Sequence, residues 1–269
     1  MSPHEAPIRI LHLARDQFFT ETVNVLDVPV AVLRRAELTE LLDQALRSGL
    51  RGWISYVNVH AINLATELPW FRSFMKESLV TYCDGEGVRL GAKISGRRIP
   101  ERIVTTDWLY DVCDLAQRTG RKIYFLGSTK SVVAKTVLAL RNLYPGLQVS
   151  GFHNGFLDSV DITEVVGDIN SSGTDILVIG MGMPLQERWI LDNYRDLNAK
   201  IILNAGSCFD YVSGMKKRCP RFMGNIGLEW LYRLLQEPRR LWQRYLIGNP
   251  RFVLLCLRDA LRNSPERMA

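Results

Sequence analysis

Lys122-Ile-Tyr-Phe-Leu-Gly-Ser-Thr129 is the stretch that decides the fold. The apolar run from Ile123 to Leu126 leaves no polar face, so a strand here is covered on both sides. Gly127-Ser128-Thr129 then opens a helix that runs through Tyr144, and a second strand is expected over 148–152. Strand, helix and strand in that order return the chain parallel to itself.

The alternation continues in both directions. Upstream, 24–33 reads as a short strand or a hairpin around Pro29, and 35–48 as a helix on Leu38, Leu41, Leu42, Ala45 and Leu46. A strand over 53–57 precedes a helix over 61–77 that breaks at Pro69. A strand over 79–83 runs into Asp84-Gly85, and 107–118 is helical, with Leu109, Val112, Leu115 and Ala116 on one face. Downstream, 162–171 is a helix, and strands over 176–180 and 200–204 flank a helix over 186–194. The expected fold is α/β: a Rossmann-like, mostly parallel sheet with helices on both faces, over residues 24–215. Residues 1–23 read as an arm. After Lys216 the strands stop, and Pro238 and Pro250 divide 216–269 into three short helical pieces, an appendage.

Charge separates these parts. Residues 216–262 carry 11 Lys and Arg against 3 Asp and Glu, whereas 1–215 carry 22 against 24. The net charge of +6 therefore belongs to the C-terminal part, which implies an anionic partner. Five cysteines, odd in number and without a CxxC, argue against a disulfide framework or a zinc site and for a reducing cytoplasm. No secretory signal is visible over 1–19, and the longest apolar run near the tail, 252–257, is far short of the roughly 20 residues a spanning helix needs. Contact with a membrane surface is expected, and crossing is not.

Ligands of open α/β sheets sit beyond the carboxyl ends of the strands. Nearly every strand here ends in glycines plus one polar residue: Asn58; Asp84-Gly85; Gly127-Ser128; His153-Asn-Gly155-Phe156; Gly180-Met-Gly-Met-Pro-Leu-Gln186-Glu187; Asn204-Ala-Gly206-Ser-Cys-Phe-Asp210. Glycines let backbone N–H groups approach a phosphate or sugar, so the set points to a nucleotide-type ligand. Gly180-Met-Gly182-Met-Pro184 lacks the third glycine of a dinucleotide fingerprint, and no P-loop is present. The chain also lacks an Asp-x-Asp pair, so no metal and no cofactor are expected; a leaving diphosphate then needs arginines or helix N-termini. Asp84 reads as a common Asp-Gly turn or as a general base at a strand end. Asn58 fits a turn or a ligand contact, and Glu187 in a first helical turn can simply suit the dipole. His60 and His153 lack partners at ligand spacing and are expected in the core or on the surface. A nucleotide is expected between the loops of Gly155-Phe156, Gln186-Glu187 and Asp210.

Gly227-Leu-Glu-Trp-Leu-Tyr-Arg-Leu-Leu-Gln-Glu-Pro-Arg-Arg240 interleaves rings with guanidiniums, which suits a boundary between an apolar phase and phosphate. Together with Tyr82-Cys-Asp84-Gly85, Glu101-Arg102, Tyr144-Pro-Gly146, His153-Asn-Gly155-Phe156, Gly182-Met-Pro184-Leu-Gln186-Glu187, Gly206-Ser-Cys-Phe-Asp210 and Lys217-Arg218-Cys-Pro220, it resembles the bacterial WecG/TagA/CpsF glycosyltransferase family, in family order over 24–252. The resemblance implies an inverting, metal-independent transfer from a UDP-sugar to an undecaprenyl-diphosphate-linked saccharide in cell-envelope polymer synthesis. It implies a chain attached peripherally to the inner face of the cytoplasmic membrane. By resemblance Asp84 is the general base, while Arg102 and Gln186 face the donor. Asn58 matches a family position, but Tyr56 stands where the family often has Thr. Arg233, Arg239, Arg240 and Arg244 are expected at the acceptor diphosphate and the membrane. A homo-oligomer is compatible with the sequence, and no nucleic acid is expected. Two other readings stay open: a nucleotide-binding α/β protein whose basic tail holds nucleic acid, and a nicotinamide-dependent oxidoreductase.

Overall fold

The computed structural model describes residues 20–157, 162–220, 223–224 and 227–262. The expected arm over 1–23 falls, up to residue 19, outside them. Strands β1 (Thr22–Val25) and β2 (Val28–Ala31) form an antiparallel hairpin. The turn lies at Leu26-Asp27, both with positive φ, the pairing that suits the twist of a two-residue hairpin. Pro29 sits within β2 opposite Asn24, so the expected turn around Pro29 is displaced by two residues.

The main sheet contains β3 (Gly52–Val57), β4 (Val80–Cys83), β5 (Lys122–Gly127), β6 (Gln148–His153), β7 (Ile176–Gly180) and β8 (Ile201–Asn204), in the order β4-β3-β8-β7-β5-β6. Every pairing is parallel, so all six carboxyl ends lie on one edge. Residues of β3, β4, β7 and β8 are buried throughout, as continuous apolar runs require. At the border, β6 leaves Phe152 41% exposed.

Helices α1 (Arg35–Arg47), α2 (Val59–Glu67), α3 (Pro69–Glu77), α4 (Glu86–Ile94), α5 (Thr105–Thr119), α6 (Lys130–Leu143), α7 (Ile162–Ser171), α8 (Leu185–Asn193) and α9 (Cys208–Val212) join the strands. They gather in two groups: α1 packs on α5 and α6 on α9, while α2 packs on α3 and α3 on α8. Gly120, in the left-handed conformation, ends α5, and Pro69 opens α3 at a position where no N–H is missed. Helix α4 went unread in the sequence because Gly87 and Gly91 interrupt its pattern. Trp53 is buried, stacks on Phe74 at 5.0 Å and donates its indole N–H to the Phe74 carbonyl at 3.1 Å.

Among the described residues, 229–262 form two helical pieces, where the sequence suggested three over 216–269. The first is α10 (Glu229–Gln236). The second begins as α11 (Pro238–Trp242), passes through a π-helical turn (Gln243–Ile247) and continues as α12 (Gly248–Arg262). Pro250 lies in the first turn of α12, directly after the widened turn, and does not stop the helix. Helix α12 lies on α2 and α4, with Phe252 and Cys256 inside the common core. Asn63 donates to the Gly248 carbonyl at 2.9 Å across the same contact.

Candidate active site

The carboxyl ends of β3 and β4 set the centre of the site. Asp84 follows β4, and its N–H donates to the Val57 carbonyl at 2.8 Å, which holds the residue at the sheet edge. One carboxylate oxygen accepts the Thr105 N–H, at the start of α5, at 3.3 Å. After α4 the chain returns so that the Ile103 N–H donates to the Cys83 carbonyl at 2.8 Å, and this brings Arg102 beside Asp84. Asn58 caps α2, its side-chain oxygen accepting the Ala61 N–H at 3.1 Å, and the residue lines the cavity.

Helix α10 closes the site from above. Glu229 is gripped by Arg102 of the sheet domain and by Arg233 of its own helix, the latter at 2.8 Å. Arg233 also stands over the Tyr211 ring, 5.2 Å from its centre. The Trp230 and Tyr245 rings meet at 6.0 Å and tie α10 to the π-turn. The Nε groups of Arg102, Arg233 and Arg244 are buried without a hydrogen-bond partner, so these guanidiniums retain donor capacity.

Three cavities converge here. A narrow one of about 120 Å³ runs from Asp84 over the ends of β3, β8 and β7, past Tyr56, Met183, Gly206 and Ser207, under Arg240 and Arg244. One of about 480 Å³ lies between α4, α10 and α12, with Asn58, Asp84 and Arg102 at its base. A third, about 720 Å³, is lined by Arg89, Arg102, Arg218 and Arg233 together with the carboxylates of Glu86, Glu101, Asp107 and Glu229.

Burial is the main influence on Asp84 and raises its pKa; Arg102 and Arg233 pull it down, Glu229 pushes it up, and the result is about 7. The part of Asp84 that escapes burial opens on the cleft. Burial would also raise Glu229, but Arg233 and Arg102 outweigh it and hold the carboxylate below its ordinary value. Burial, then Glu187 and Asp84, keep the Tyr56 hydroxyl protonated far above its ordinary range. His60, expected in the core or on the surface, stands in the wall of the 480 Å³ cavity. Burial and then Arg244 lower its pKa to about 4, so its imidazole is neutral.

The structure brings together Asn58, Asp84, Arg102, Arg233, Arg240 and Arg244, and sets the other expected residues apart. Gln186 and Glu187 are fully buried and line none of the three cavities. Gln186 accepts from the Gly206 N–H at 3.0 Å and donates to Glu187 at 2.7 Å; Glu187 also accepts from Asn204 at 2.7 Å. This network fixes the loops lining the narrow cavity. Asp210 is taken up by Lys216 at 2.8 Å and by Ser128 at 3.1 Å. Phe156 is 64% exposed, and neither it nor Gly155 lines any of the three cavities. Arg239 is exposed on α11, outside all three.

The strand-end glycines serve packing more than ligand approach. A Cβ on Gly127, whose φ is 149°, would overlap the Gly180 carbonyl, and one on Gly206 would overlap the Tyr56 hydroxyl. Sequence reasoning passed over Glu229; its signal was its place four residues before Arg233. Among the described residues no three His, Cys, Asp or Glu gather as metal ligands, and no helix is long and apolar enough to cross a membrane.

A carboxylate held near neutrality and facing clustered guanidiniums at the open edge of a parallel sheet suits group transfer on phosphorylated substrates. Comparison with known proteins narrows the class. The model of the Glycosyl transferase WecG/TagA/CpsF family matches residues 23–266, and the chain belongs to that family. It is similar to the N-acetylglucosaminyldiphosphoundecaprenol N-acetyl-beta-D-mannosaminyltransferase of Bacillus spizizenii, 30% identical over 72% of this chain and 74% of the relative. The protein of the same name from Bacillus subtilis is 31% identical over 65% and 67%. That from Staphylococcus aureus strain MW2 is 27% identical over 70% and 74%.

Proposed function

We propose that this glycosyltransferase moves a hexosamine, of the N-acetylmannosamine type, from its UDP derivative to a saccharide on a polyprenyl diphosphate. One observation carries the reading: Asp84 lies where the narrow strand-end cavity and the wider helical cavity meet, with guanidiniums around both. The donor's sugar and diphosphate enter the narrow side, over Tyr56 and Gly206 and under Arg240 and Arg244. The acceptor enters the wide side. Its hydroxyl oxygen attacks the anomeric carbon, the bond from that carbon to the phosphate oxygen breaks, and UDP leaves from the opposite face with inverted configuration. The hydroxyl proton passes to Asp84, and the negative charge on UDP passes to the arginines. Arginine supplies charge that a metal supplies elsewhere, so the scheme needs no divalent cation. The names of the relatives support the lipid-linked acceptor, and the basic C-terminal part supports work at the inner membrane surface.

The test is a donor screen, beginning with UDP-N-acetylmannosamine and UDP-glucose, against a short-chain prenyl-diphosphate N-acetylglucosamine. Mass spectrometry of the acceptor reads the product. Sugar addition that survives EDTA is expected. Absence of any adduct, or strict dependence on magnesium or manganese, would count against the scheme.

A further inference from the structure

We infer that the seam between α4 and α12 is a groove for the first isoprene units of the acceptor's lipid carrier. On this view the protein itself holds the lipid beside its diphosphate, rather than leaving it wholly in the bilayer. The inference rests on the transfer proposed above.

The 480 Å³ cavity changes character along its length. Asp84, Arg102 and Arg233 form its base, while Val59, Leu90, Trp230, Phe252 and Val253 supply apolar wall. Gly91 of α4 makes the seam, since a Cβ there would come within 2.6 Å of the Phe252 ring, while Gly87 packs α4 against Val59 of α2. The helices therefore touch at Gly91, and Leu90, 49% exposed, lines the same cavity as Val253. Beyond Val253, α12 presents Leu254 and Leu257, exposed by 55% and 45%. Val253 of the cavity wall is thus followed along α12 by exposed apolar side chains.

A saccharide alone does not account for aliphatic walls at this position, since sugar hydroxyls require polar partners. The matching chemistry is an anionic head joined to a branched hydrocarbon tail. The head meets guanidiniums whose buried Nε groups lack partners, and the tail meets Leu90, Val253 and Trp230. A tail in this groove points outward along α12, where the remainder of a long carrier can join a membrane.

The test uses the full chain without vesicles or detergent, so that no bilayer can select the lipid. Acceptors are N-acetylglucosaminyl diphosphates carrying a methyl, a two-isoprene or a three-isoprene group, below their aggregation concentrations. Each buried methylene raises affinity about fourfold. The expected kcat/KM is therefore at least tenfold higher for the two-isoprene acceptor than for the methyl one, with little further gain at three. In Leu90→Gln and Val253→Gln, checked for unchanged melting temperature, the prenyl-to-methyl ratio is expected to fall towards one. Equal kcat/KM for all three acceptors, or an unchanged ratio in both variants, overturns the groove while leaving transfer itself standing. No turnover on any acceptor overturns the transfer reading and the groove with it.

Discussion

Asp84 joins the chemistry to a stability cost, because a carboxylate at this depth is held against its own ionisation. Its pKa of about 7 lies far above the ordinary carboxylate value. As a base it must be ionised, so kcat/KM is expected to rise with pH through an apparent pKa near 7. Asp84→Asn is expected to lose about 10² to 10⁴ in turnover while retaining UDP binding, measured by transfer assay and calorimetry. A raised folded-state pKa means that ionisation costs stability above about pH 7, and that this cost shrinks as pH falls towards the unfolded value near 4. The melting temperature of Asp84→Asn is thus expected to exceed that of the parent at pH 8 and to match it near pH 4. Glu229 supplies a second test, because its charge pushes Asp84 up while Arg102 and Arg233 pull it down. Glu229→Gln is expected to move the acid limb of the pH profile to lower pH, and a limb that stays in place would remove Glu229 from the electrostatics of the base. Asp84 and Arg233 were legible in the sequence because each sits in a motif. Glu229 was not, since its role depends on Arg102, which is distant in the chain and reaches it only through the fold.

At the scale of elements, the parallel strands were legible because unbroken apolar runs such as Ile123–Leu126 have few other fates. The hairpin was misplaced for a local reason. Pro29 looks like a turn residue, but on a two-stranded edge its missing N–H costs little, and Leu26-Asp27 turn instead. The meaning of the strand-end glycines was also hidden. They admit neighbouring loops, and the polar residues after β7 are consumed in bracing those loops. The C-terminal helices read as an appendage from the end of the strands, the two prolines and the basic charge, and α12 also contributes Phe252 and Cys256 to the core. Phe252→Ala is therefore expected to cost roughly 3 to 5 kcal/mol of stability, as for a buried aromatic. Urea unfolding followed by circular dichroism measures it. A loss below about 1 kcal/mol would mean that α12 adds little to the core.

At the scale of the whole molecule, charge and apolar surface fall on the same C-terminal part. The basic excess of residues 216–262 accompanies exposed Trp242, Leu246, Leu254, Leu257 and Leu261 along the helix that runs from Pro238 to Arg262. Neither feature alone specifies a membrane surface. Together, apolar side chains and neighbouring arginines suit the border between an apolar phase and anions. An anionic leaflet offers both, at about 1 kcal/mol for each basic residue near the surface. Arg239, Arg258 and Arg262 are exposed and lie outside the three cavities, so changing them tests the surface without touching the site. Their joint replacement by Gln is expected to weaken binding to phosphatidylglycerol vesicles by about 3 kcal/mol, roughly a hundredfold. Turnover on a short-chain acceptor in solution is expected to persist. Leu254→Gln with Leu257→Gln is expected to weaken flotation as well, and at high salt this loss is expected to outlast that of the arginine variant, because salt screens charge and leaves apolar burial intact. Equal flotation of parent and both variants, or equal binding to neutral and anionic vesicles, would place the basic excess in the service of the substrates alone.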